Sequence, residues 1–132
     1  MSAKSFTVNL KSKIKSYKKV IDVDSDKSLS IRSFIIGSIC QKISFASNIL
    51  ESEDVKSTIS TCRKLGVKIV KIKSKKYKIY GKGLGSFYAK KNTELDFCNS
   101  GPLARLLIGV LSTTPNIEVK IRGDHSLNKR NM

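Results

Sequence analysis

Three stretches of the sequence set a cation beside a possible helix start or a run of small residues: Asp26-Lys27-Ser28-Leu29-Ser30-Ile31-Arg32, Asn99-Ser100-Gly101-Pro102-Leu103-Ala104-Arg105, and Gly123-Asp124-His125-Ser126-Leu127-Asn128-Lys129-Arg130. Open backbone N–H groups combined with a fixed positive charge are how proteins hold phosphate and carboxylate. In the first stretch Ser28 and Arg32 lie four residues apart and share a helix face. An ammonium, a hydroxyl and a planar guanidinium at one spot make a receptor for a phosphorylated or carboxylated small molecule. The spacing fits a capped helix with solvated charges equally well. In the second stretch Gly101 lets a ligand approach the backbone closely, and the competing reading is an ordinary turn with Arg105 at the surface. The third stretch, by pattern alone, reads more readily as a solvated basic tail. Its His125, the only histidine, reads as a surface residue.

Other chemistries find little support. Cys40, Cys62 and Cys98 are odd in number and widely spaced, which fits reduced, small apolar residues rather than a disulfide framework or a zinc clip. A reactive thiol at Cys98, beside the second loop, is the weaker alternative. Gly81, Gly83 and Gly85 match neither the dinucleotide fingerprint nor a GxxxxGK[ST] phosphate loop. No metal site and no cofactor is expected. Between Lys68 and Lys82 the lysines alternate with Ile and Val and are joined by Tyr77 and Tyr80. That pattern is an exposed sheet face before it is a nucleic-acid surface, so a nucleic-acid partner is not expected.

Composition bounds these readings. The 132 residues carry 26 Lys and Arg against 10 Asp and Glu, a net charge of +16, with 39% hydrophobic residues. That is one domain at most, and too apolar for disorder. The excess consists of 21 Lys with only 5 Arg, beside 19 Ser and 15 Ile. Such a mixture follows from an AT-rich coding sequence as readily as from a ligand, so charge points only to anions in general. No apolar run approaches the roughly 20 residues of a membrane span. The six lysines among the first 21 residues leave no secretory h-region. A cytoplasmic chain with no membrane partner is expected.

The elements that must position these loops follow from periodicity. Phe6, Val8 and Leu10 alternate as a strand, and residues 20–23 suggest a second. Leu29 to Cys40 hold a helical period to about Gln41, and 43–48 read as a strand. Ser52 is placed to cap a helix with Glu53 and Asp54 in its first turn, a stripe of Val55, Ile59, Cys62 and Leu65, and a stop at Gly66. Residues 67–72 and 77–80 form two strands, completing the order β-α-β-α-β-β. A similar series then begins: a short strand at 94–97, a helix from about Pro102 to Leu111 burying Leu103, Leu106, Leu107 and Val110, and a strand at 117–121. A second unit broken off at Met132 would leave sheet edges and core unfinished, so a fragment or truncated product is expected.

In this order and spacing the loops resemble the N-terminal part of the 5-enolpyruvylshikimate-3-phosphate synthase (3-phosphoshikimate 1-carboxyvinyltransferase) family. Residues 26–32 resemble its substrate-binding signature, 48–55 the entrance to its second helix, and 65–67 that helix's exit. Asn99-Ser100-Gly101 with Arg105, and Gly123-Asp124 with Ser126-Leu127 and Arg130, resemble two further loops. The resemblance implies an α/β fold of β-α-β-α-β-β units, the inverse α/β barrel of the enolpyruvyl transferases. This chain would hold one unit (about 22–81) and part of a second (about 82–132), with residues 1–21 contributing a strand to the other domain. It implies that Lys27 contacts both substrates, that Ser28 and Arg32 bind shikimate 3-phosphate, and that Asn99, Gly101 and Arg130 serve phosphoenolpyruvate. The implied reaction moves the enolpyruvyl group between them without cofactor, in a full-length monomer. The catalytic acidic residue is expected beyond Met132, so the chain alone should bind substrate weakly and not catalyse.

Departures from the family pattern are Asp24-Ser25 where a Pro-Gly or similar pair usually stands, Pro102 where Thr is usual, and Asn131 where Pro commonly follows. The sister family acting on a UDP-linked N-acetylglucosamine fits less well, because it typically has Asn after its Lys and a catalytic Cys with no counterpart here. A small basic nucleic-acid-binding protein remains the alternative from a different class.

Overall fold

In the computed structural model, which describes residues 23–130 together with Thr7, Asn9, Lys18 and Val20, the first element is helix α1 (Lys27–Ile39). Asp26 caps it, its side chain accepting from the Leu29 amide at 2.6 Å. The two expected N-terminal strands fall largely outside the described residues. Strand β1 (Ile43–Ser47) follows, then α2 (Glu53–Lys64), β2 (Lys68–Lys73) and β3 (Lys76–Tyr80). The second series is β4 (Glu94–Asp96), α3 (Gly101–Leu111), β5 (Lys120–Arg122) and a one-turn α4 (His125–Asn128).

Strands β1, β3 and β2 form one antiparallel sheet in that spatial order, and β4 pairs in parallel with β5. The period of two in β2 and β3 splits the larger sheet by face. Ile69, Tyr77 and Ile79 turn inward and are buried, whereas Phe45, Val70 and Ile72 stay exposed among the lysines. Helices α1 and α2 cover the inner face. Phe34 of α1 meets Tyr77 edge to face, with ring centroids 5.2 Å apart. The expected α2 stripe of Val55, Ile59, Cys62 and Leu65 is buried in the same core as Leu95, Phe97, Leu103 and Leu107. Each such side chain contributes about 1.5–3 kcal/mol by leaving water.

The structure corrects several local expectations. Ser52 sits at the N-cap of α2, yet its side chain makes no cap bond and its buried hydroxyl has no partner. In α3 the buried face is Leu103, Ala104, Leu107 and Leu111, so Leu106 is exposed and Val110 only half-buried. Leu29, counted in the α1 stripe, is 65% exposed. The last strand covers three residues rather than five, because β4 offers only three partners. Gly81 has the tightest surroundings of any glycine. A Cβ there would lie 2.1 Å from the Cys40 carbonyl oxygen and 2.6 Å from that of Gly37. The strand-to-loop exit therefore runs directly against the end of α1, and only glycine fits.

Candidate functional site

The first and second basic stretches meet because α1 packs on α3. Arg32, on the exposed side of α1, and Gly101, Pro102, Arg105 and Leu106, from the first turns of α3, line one cleft of about 310 Å³. The third stretch closes it. Asp124 caps α4 by accepting from the Leu127 amide at 2.7 Å, and buried Leu127 anchors that turn to the core. The chain is thereby turned so that Arg130 completes the cleft wall. The reading of this stretch as a solvated tail does not describe Arg130, although His125 and Lys129 are exposed as that reading expects.

Arg130 is held in place from two sides. Its Nη2 donates to Asn99 Oδ1 at 2.6 Å and reaches Ser126 Oγ at 3.4 Å. Its Nη1 lies 3.0 Å from where a Cβ on Gly101 would be. The close approach that Gly101 permits is therefore first that of a guanidinium, laid over the start of α3. A helix N-terminus carries partial positive charge, so a cation there is electrostatically unfavourable until an anion joins it. Among the described residues, three guanidinium groups line the cleft and no carboxylate does. At its start α3 has little backbone to offer: Gly101 N donates to Asn99 O, Leu103 N to Ser100 Oγ, and Pro102 has no N–H.

Lys27 occupies a different place. Its Nζ pairs with Asp54 Oδ2 at 2.7 Å, joining the first turns of α1 and α2. Asp54 is the more buried partner, with its side chain 16% exposed. Sequence reasoning placed Asp54 only in the helix dipole's field, and its pairing with Lys27 depends on how α1 and α2 cross. Neither Lys27 nor the half-buried Ser28 lines the cleft that holds Arg32 and Arg130. Of the expected residues, the structure gathers Arg32, Asn99, Gly101 and Arg130 into one neighbourhood and leaves Lys27 and Ser28 beside it. Pro102, Arg105 and Leu106 are cleft residues that the site expectation did not include.

Cys98 sits on the opposite flank of the Asn99 loop and is exposed, with φ of 48°. Partial desolvation pushes its thiol pKa up, and the Asp96 and Glu53 carboxylates add to this against a hydrogen bond with Ser57. A raised pKa is the opposite of what a nucleophilic cysteine needs. Cys62 is fully buried, and burial pushes its thiol up to about 11.

The sequence profile of EPSP synthase (3-phosphoshikimate 1-carboxyvinyltransferase) matches residues 11–132. Among curated relatives, the 3-phosphoshikimate 1-carboxyvinyltransferase of Syntrophomonas wolfei is 38% identical over 123 residues, covering 93% of this chain and 28% of its own length. That of Alkaliphilus oremlandii is 42% identical over 127 residues, covering 96% and 28%. Among solved structures, EPSP synthase from Acinetobacter baumannii superposes with a TM-score of 0.75 at 35% identity, over 83% of this chain and 24% of that one. The chain thus spans somewhat over a quarter of the length of the relatives it matches. Within that span the α/β units have the fold of the A. baumannii structure. The match sets aside the UDP-sugar sister family, and the chain belongs to the EPSP synthase family.

Proposed function

We propose that this chain supplies anion-binding loops for the transfer of an enolpyruvyl group from phosphoenolpyruvate to the 5-hydroxyl of shikimate 3-phosphate, with release of inorganic phosphate, on the route to chorismate and the aromatic amino acids. The observation that carries this reading is the cleft where Arg32, Arg105 and Arg130 converge on the start of α3, with no carboxylate among the described residues that line it. Both substrates are multiply anionic. Fixed donors that meet developing charge contribute about 2–4 kcal/mol each in a water-excluding site, and far less where water screens them.

In this reading Arg32 and Ser28 hold shikimate 3-phosphate, and Arg130, Gly101 and Asn99 hold phosphoenolpyruvate. Lys27 contacts both once its ammonium turns from Asp54 toward the substrates. The acidic catalytic residue lies outside these loops. Residues 22–81 and 82–132 act as a complete and a partial β-α-β-α-β-β unit of one substrate-binding domain, and residues 1–21 belong with the other domain. The full-length protein works in the cytoplasm as a monomer without a membrane partner. Among the described residues no helix is long and apolar enough to cross a membrane.

The test is a titration of the 15N-labelled 132-residue chain with phosphoenolpyruvate and with shikimate 3-phosphate. Weak binding is expected, with shifts concentrated at Arg32, Gly101, Arg105 and Arg130. Shifts spread over the lysines of β2 and β3 instead, and reproduced equally by sulfate, would remove the reading.

A further inference from the structure

The helix that borders the anion cleft begins in an unusual way. Its N-cap Ser100 donates its own amide to Phe97 O at 2.9 Å, Gly101 N donates to Asn99 O at 3.2 Å, and Leu103 N donates to Ser100 Oγ at 3.3 Å. The amide of Ala104 enters the helix ladder through Ser100 O at 3.0 Å. The position that would leave a backbone donor for a ligand is residue 102, and a proline stands there. Pro102 lines the cleft together with Arg32, Arg105 and Arg130. The start of α3 thus lends its partial charge to the cleft but no N–H.

We propose that Pro102 is a specificity-determining residue, one that makes anion recognition in this cleft depend on guanidinium groups alone. The proposal rests on the reading of the cleft as an anion site. A planar guanidinium fork matches carboxylate and phosphate alike, whereas a backbone amide at a helix start favours an oxygen-rich phosphoryl group seated on the helix axis. With residue 102 unable to donate, the cleft discriminates little between a carboxylate and a phosphoryl group. Restoring an N–H there shifts the preference toward phosphate.

The experiment compares the 132-residue chain with Pro102→Ala by 15N NMR, titrating inorganic phosphate and, separately, acetate. In the variant the newly created amide at position 102 is expected to move downfield with phosphate. Phosphate affinity should rise about fivefold, consistent with one added donor at a helix terminus, while acetate affinity changes less than twofold. If Gly101 and Arg130 respond to phosphate in both proteins but the new amide stays still and the phosphate-to-acetate ratio is unchanged, the proposal is wrong and the anion site stands. If no cleft residue responds to either anion in either protein, the anion site itself fails and the proposal with it. Pro102→Gly, which restores the donor without a side chain, must reproduce the shift in preference. An effect confined to the alanine variant would assign it to side-chain packing and overturn the proposal.

Discussion

Asn99 Oδ1 and Arg130 Nη2 meet at 2.6 Å across 31 residues of sequence, and this hydrogen bond lays the guanidinium over the first turn of α3. A charge-assisted bond of this kind restricts a long side chain that would otherwise sample solvent. It joins the second basic loop to the third, so neither forms its part of the cleft alone. Asn99→Ala is expected to weaken phosphate binding about two- to fivefold, the cost of ordering one side chain on binding. Asn99→Asp is expected to weaken it further, because the new carboxylate competes for Arg130. The same NMR titration measures both, and an unchanged affinity in Asn99→Asp would show that Arg130 does not act in the cleft.

Acid sensitivity is expected to centre on Glu51. Its carboxylate accepts from Lys71 Nζ at 2.9 Å and from Tyr77 OH at 2.8 Å, and these bonds, chiefly that of Lys71, lower its pKa from 4.5 to about 2 against the opposing cost of desolvation. A depressed folded-state pKa contributes stability that is present above the unfolded value and is lost as pH falls toward the folded one. Urea unfolding of the chain and of Glu51→Gln should therefore differ most above pH 4.5 and converge between about 4.5 and 2. A gap independent of pH over that window would assign Glu51 a purely steric role. At the alkaline end, burial and then the Glu51 contact raise Tyr77 from 10.0 to about 12, so its contribution persists below the first value and disappears through the second.

Two residues occupy equivalent positions in sequence pattern, yet only one acts as a cap. Asp26 bonds the Leu29 amide at the start of α1, whereas Ser52 before α2 leaves its hydroxyl buried and unpartnered. Asp26→Ala is expected to cost about 1 kcal/mol. Ser52→Ala should be close to neutral, because it removes a desolvated group that has no bond to lose. The midpoints of denaturant unfolding decide, and a loss at Ser52 equal to that at Asp26 would contradict the geometry.

The α1 start at Asp26, the α2 stripe from Val55 to Leu65 and the β2–β3 hairpin were all legible in the sequence, because caps, the 3.6-residue period and alternation with lysine are local signals. The burial of α3 was read only in part. Leu106 continues the apolar run Leu106-Leu107-Ile108, but its side of the helix faces the cleft rather than the core. The final strand was read too long because its length is set by β4, a partner more than 20 residues away in sequence.

The sequence by itself determined the type of chemistry, since three loops that each carry a cation beside small residues suit anions whatever their arrangement. It also determined the main elements, through interactions between residues a few positions apart. Only the tertiary structure decided which cations share a cleft. Arg32, Arg105 and Arg130 meet there while Lys27 is drawn to Asp54. The reason is physical: those meetings depend on how α1 crosses α2 and α3 and on Leu127 anchoring α4, and packing between distant segments leaves no periodic trace in the chain.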